Sequence, residues 1–183
     1  MKYFILLLCL ISFIDSRIVM NKNQWVDALI KLAGRNTIYR NQWPYNVLYC
    51  DGKNWYCDCV NLLKALFNGR DINNWAAGSR TPTLSNTGDL TCWEFINACS
   101  DVSSDFTRLR EGEPRVLWLN EHIGSYIGKV VNGKYNVIEC TGSWGGGIKY
   151  SWVDNNGVRR RERGGATNGQ WLKHGKPTKW VSY

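Results

Sequence analysis

Hydrophobic positions recur at helical spacing in the first half of the chain and in short alternating runs in the second, so the pattern predicts helices first and strands afterwards. Trp25, Ala28, Leu29, Leu32 and Ala33 keep the 3.6-residue period and stop at Gly34, which predicts an amphipathic helix over 21–33 with Gly34 as its C-cap. Leu62, Leu63, Leu66 and Phe67 repeat the pattern behind Asp58, a good N-cap residue, so a second helix is expected to begin at Cys59 and end at Asn68-Gly69. Leu90, Trp93, Ile96 and Ala98 predict a third over residues 87–99. Residues 35–56 are rich in aromatic side chains without a period and read as an ordered loop, and residues 69–86 are turn-rich.

From Arg115 onward the period shortens. Residues 115–119, 123–127, 135–139 and 148–153 read as strands separated by Asn120-Glu121, by Asn132-Gly133-Lys134 and by Gly145-Gly146-Gly147, which predicts hairpins of an antiparallel sheet. Helices followed by strands make an α+β domain. The tail carries Arg159, Arg160, Arg161 and Arg163, read as a solvated loop, then Trp171, Trp180 and Tyr183, read as packing back on the body.

Residues 1–16 change the picture of location. One Lys, an apolar run over 3–14 and small or polar residues before Arg17 read as a secretory signal peptide, the run being too short to span a bilayer. Residues 17–183 are then expected to form a single exported domain, with no stable membrane insertion. The formal net charge of +8 draws such a protein to polyanions such as bacterial wall polymers, lipid head groups or nucleic acid, and also serves plain solubility.

Of the seven cysteines, Cys9 leaves with the signal peptide, and Cys50, Cys57, Cys59, Cys92, Cys99 and Cys140 remain. Exported cysteines suggest disulfides, with Cys50–Cys57 and Cys92–Cys99 as candidate pairs. Zinc is disfavoured, because Cys57-x-Cys59 lacks the knuckle spacing and the chain has only two histidines; no metal or other cofactor is expected. Cys59 stands out for chemistry, since the first turn of a helix stabilises a thiolate. A base is needed. His122, at the start of a strand, has the better context than His174 in the polar tail, and Glu139, between Ile138 and Cys140 on the next strand, is placed to orient it.

Three separated stretches then agree in order with one family. Tyr56-Cys-Asp-Cys-Val-Asn-Leu62, His122-Ile-Gly-Ser-Tyr-Ile-Gly128 and Val137-Ile-Glu-Cys-Thr141 resemble the nucleophile, base and third-residue motifs of the NlpC-type cysteine peptidases of the NlpC/p60 superfamily. The resemblance implies a papain-like fold, with the nucleophile helix packed on a C-terminal antiparallel sheet. It also implies a catalytic Cys59–His122–Glu139 triad, with the Cys59 N–H in the oxyanion hole. Tyr45 of Pro44-Tyr45, with Tyr49 as its rival, and Asp58 are the implied substrate-binding residues. Val60-Asn61 departs from the family's Ser-Gly, and Glu139 stands where His is commonest. The implied function is a secreted thiol protease that cuts bacterial peptidoglycan stem peptides, typically between D-glutamate and the diamino acid. It is implied to act as a monomer without nucleic-acid partners. Three alternatives stay open: an N-acetylmuramoyl-L-alanine amidase, a lipid-directed papain-like enzyme, and a silent wall-binding domain whose Cys59 is tied in a disulfide with Cys50 or Cys140.

Overall fold

The computed structural model describes residues 17–40, 47–81 and 83–183, so the expected signal peptide and Tyr45 lie outside the described residues. The chain opens with β1 (Met20–Asn21) and α1 (Lys22–Ala33). Asn21 starts that helix through a capping box: its side chain accepts from the Gln24 N–H while Gln24 reaches back to the Asn21 N–H. Residues 35–56, expected as loop, instead carry β2 (Thr37–Tyr39), β3 (Tyr49–Cys50) and most of β4 (Trp55–Cys57), joined later by β5 (Ser79–Arg80) in a small sheet ordered β2-β4-β3-β5. Strands of two or three residues are too short to show alternation, and their pairing partners lie elsewhere in the chain.

Helix α2 (Cys59–Phe67) begins where Asp58 predicts it, and every residue in it is buried. Burying Lys64 is offset by an ion pair with Asp89, 2.6 Å away. The third helix is shorter than its periodicity suggests: α3 spans Cys92–Asn97 only. A reciprocal capping box between Thr91 and Glu94 sets its start, while Thr87 is held outside by the Asn68 amide. This start turns Trp93 outward, 48% exposed, and Phe95 inward.

β6 (Ser100–Ser103) and a 3-10 turn over Phe106–Arg108 lead to β7 (Arg115–Leu119), β8 (His122–Val131), β9 (Tyr135–Thr141) and β10 (Gly147–Val153). The tail is not a loop. It forms β11 (Val158–Arg160), β12 (Thr167–Gln170), β13 (Lys173–Lys176) and β14 (Val181–Ser182). Eight strands make one sheet in the order β12-β11-β10-β9-β8-β7-β13-β6, antiparallel at every ladder.

Because side chains alternate across a strand, the sheet has two packed faces. Val116, Ile123, Ile127, Ile138 and Ile148 point to the helices, where Phe67, Phe95 and Trp180 stack. Leu117, Tyr126, Val137 and Val153 point the other way, beneath Trp171 and Phe106. The architecture is therefore mixed α+β, with the Cys59 helix against β8 and β9. No helix among the described residues is long and apolar enough to cross a membrane.

Candidate active site

Cys59 is the first residue of α2, and Asp58 caps the helix with both oxygens, accepting from the Asn61 N–H and from the Asn61 side-chain amide, each at 2.8 Å. The remaining first-turn N–H groups have no intrahelical acceptor, which leaves a positive pole around the Cys59 sulfur. The Ile123 N–H also donates to that sulfur.

His122 heads β8, just after the hairpin turn at Asn120-Glu121, where Glu121 holds a left-handed φ of 57°. Its ring lies parallel to Trp171, with centroids 5.6 Å apart and planes 22° apart. Nε2 meets Glu139 Oε2 at 2.5 Å, and the ring also interacts with the Cys59 sulfur. Gly124 makes this packing fit. A Cβ there would lie 2.9 Å from the Trp171 ring and 3.1 Å from Glu139 Cβ. Gly124→Ala is therefore expected to cost about 1–3 kcal/mol by overpacking, because the ring it displaces is the one stacked on His122. A denaturant midpoint checks this.

Glu139 is fully buried and fully bonded. Besides His122, it accepts from Ser151 Oγ at 2.5 Å, from Arg159 Nε at 3.0 Å to each oxygen, and from Arg159 Nη2 at 2.7 Å. Arg159 is itself buried, donates to the Asn168 carbonyl at 3.0 Å and lies over the Trp144 ring at 4.4 Å. The expected solvated arginine run thus contains a buried cation.

These contacts set the charges. Burial disfavours the Glu139 carboxylate, but the hydrogen bonds from His122 and Arg159 outweigh it and hold the group below the ordinary carboxylate range. Burial likewise opposes a charge on His122, yet its bonds to Cys59 and Glu139 raise it to about 9. Cys59 is lowered to about 4, chiefly by a hydrogen bond from the Cys92 thiol and then, against the cost of burial, by His122. At neutral pH the pair is a thiolate and an imidazolium.

The thiol opens on a cleft of about 760 Å³ walled by Tyr39, Cys92, Trp93, Trp118 and Glu121. Of the residues expected to bind substrate, Asp58 lines this cleft, although both of its oxygens are engaged in capping. Burial raises it to about 6. Tyr49 lies on β3 with its ring 5.9 Å from Tyr56, and among the described residues the tyrosine lining the cleft is Tyr39. His174 takes no part. It is buried in β13, where Nδ1 accepts from Arg115 at 3.1 Å and Nε2 donates to the Asp105 carbonyl at 2.9 Å.

The cysteines do not pair as their spacing suggested. All six described cysteines are free. Cys57 faces Cys140 at 3.3 Å across β4 and β9, Cys99 donates to the Phe95 carbonyl, and Cys50 lies against the Trp75 carbonyl. The neighbour of Cys59 is Cys92, 3.6 Å away, rather than Cys57, Cys50 or Cys140.

Cys59, His122 and Glu139, far apart in sequence, thus meet at one end of the sheet, while Arg159, Cys92 and Tyr39 join them without having been singled out by sequence. No family model matches the chain, and neither a curated protein nor a solved structure matches it.

Proposed function

We propose that this chain is a cysteine peptidase of the NlpC type, which hydrolyses amide bonds in the stem peptides of bacterial peptidoglycan outside the cell that makes it. The single observation that carries the reading is the His122 imidazole paired with the buried Glu139 carboxylate at 2.5 Å and interacting with Cys59, which lines a cleft. The order of the three motifs along the chain adds to it.

In this reading the Cys59 thiolate attacks the carbonyl carbon of the amide, and the developing oxyanion meets the Cys59 N–H at the start of α2. His122 gives its proton to the leaving amine as the C–N bond breaks. The imidazole then takes a proton from water, which attacks the thioester and frees the acid. Glu139 holds the ring tautomer and plane throughout. The bond cut is the one between D-glutamate and the diamino acid. The net charge of +8 favours a wall that carries carboxylates and phosphates.

Digestion of purified peptidoglycan, followed by mass analysis of the released fragments, tests the proposal. Fragments that end in D-glutamate are expected, and their release should stop when Cys59 is alkylated by iodoacetamide. Release of intact stem peptides from the sugar would reassign the activity to an amidase, and no release from walls of several chemotypes would sink the peptidase reading.

A further inference from the structure

Two thiols stand in the cleft where the proposed reaction uses one. Cys59 opens α2 and Cys92 opens α3, their sulfurs are 3.6 Å apart, and both lie beside the Glu121 carbonyl oxygen, at 3.8 and 3.3 Å. Both line the cleft and keep some solvent contact, at 6% and 8% exposure. The other close pair, Cys57 and Cys140, lies wholly beneath the surface, with both residues at 0%. An oxidant that enters the cleft therefore reaches the first pair and not the second.

We propose that Cys59 and Cys92 form an oxidation site that takes a hydroperoxide and closes into a disulfide, which blocks the nucleophile reversibly. The Cys59 thiolate attacks the outer peroxide oxygen. The O–O bond breaks, Cys59 becomes a sulfenic acid, and the departing alkoxide or hydroxide takes a proton. The Cys92 sulfur then attacks the Cys59 sulfur. The S–O bond breaks, and hydroxide leaves with the Cys92 proton as water. Two thiols and one hydroperoxide give one disulfide, one alcohol (water where the oxidant is hydrogen peroxide) and one water; the thiols lose two electrons and the peroxide gains them.

The order of events follows from the charges. Its hydrogen bond to the Cys59 thiolate, and then burial, push the Cys92 thiol well up, so Cys92 is inert as a first target. Oxidation of Cys59 removes the negative charge beside Cys92 and so releases it for the second step. Closing the gap from 3.6 Å to the bonded distance of roughly 2 Å needs the sulfurs to move by less than a bond length each, within the reach of side-chain rotation. The free acid of a lone oxidised cysteine would go on to irreversible forms, and Cys92 is placed to intercept it.

The chemistry of the pair does not depend on the peptidase reading, whereas its consequence for turnover does. The folded protein is treated with hydrogen peroxide, free thiols are alkylated, and the peptides are mapped by mass. The expected product is a Cys59–Cys92 crosslink that dithiothreitol removes, with Cys57 and Cys140 still alkylated once the protein is unfolded. In Cys92→Ser, Cys59 is expected to proceed to sulfinic acid. A Cys57–Cys140 crosslink alone, an over-oxidised Cys59 beside a free Cys92 in the wild-type chain, or no reaction at Cys59 would each overturn the site. Fragment release from peptidoglycan should vanish with the crosslink and return with dithiothreitol. A crosslink in a protein that never releases fragments would leave the site standing and remove the peptidase reading.

Discussion

Replacing Arg159 with leucine is expected to lower kcat/KM by roughly 10²–10⁴-fold, the range that a positioned acid–base group supplies, although Arg159 lines no part of the cleft. The loss runs through Glu139. With Arg159 present, the carboxylate receives three hydrogen bonds from one planar guanidinium and stays ionised at 0% exposure. Without it, a buried charge loses its main cation, which costs about 3–5 kcal/mol of stability or drives Glu139 to take up a proton. A protonated Glu139 no longer favours the imidazolium, so only Cys59 still holds on His122 the proton needed by the leaving amine. Arg159→Lys keeps the charge but not the fork, and should recover stability better than turnover. Denaturant unfolding and steady-state kinetics on a soluble stem-peptide substrate separate the two effects. A lysine variant with wild-type kcat and an unchanged pH profile would reduce Arg159 to a structural part.

That this arginine escaped the sequence while its partner did not has a physical reason. Asp58 and Cys59 are legible because a cap and the first turn of a helix are local, and the apolar period that follows fixes the start of α2. His122 and Glu139 are legible as residues of adjacent strands joined by a short turn, so their meeting needs only one hairpin. Arg159 sits in a run of arginines, which reads as surface. Only the alternation of β11, with Arg159 buried between the partly exposed Val158 and Arg160, distinguishes it. A carboxylate flanked by Ile138 and Cys140 does signal that some cation must be buried with it, but not which one. Cys92 was hidden for another reason: its sequence neighbour Cys99 suggested a pair, whereas the capping box at Thr91 turns Cys92 toward α2. Tyr39 belongs to a three-residue strand whose ladder forms with β4, an arrangement that no local pattern announces.

The charge state of the site makes a prediction that needs no variant to begin with: kcat/KM should hold a plateau between about pH 4 and about pH 9 and fall tenfold per unit outside it. The signs are these. Cys59 attacks as a thiolate, and with its acidity at about 4 the thiolate is protonated only as pH falls through that value, which gives the acid limb. His122 donates as an imidazolium, and with its value at about 9 the proton is lost as pH rises through that value, which gives the alkaline limb. A neutral thiol–imidazole pair would instead rise with pH through the ordinary range of a histidine near 6.5 and show no acid plateau. Within the plateau one further group titrates. Asp58, raised to about 6 by burial and by the thiolate beside it, takes a proton as pH falls, which removes a negative charge near Cys59 and one acceptor from the helix cap. A step near pH 6 is therefore expected on the plateau, and Asp58→Asn, which still caps α2, should erase the step without moving either limb. Cys92→Ala should move the acid limb upward, because the Cys92 thiol is the largest source of the lowered pKa of Cys59. The rate of alkylation of Cys59 by iodoacetamide reads the acid limb independently of any substrate. An alkylation rate that climbs only above pH 8 would show that Cys59 rests as a thiol, and the ion pair that underlies both the peptidase and the oxidation site would be gone.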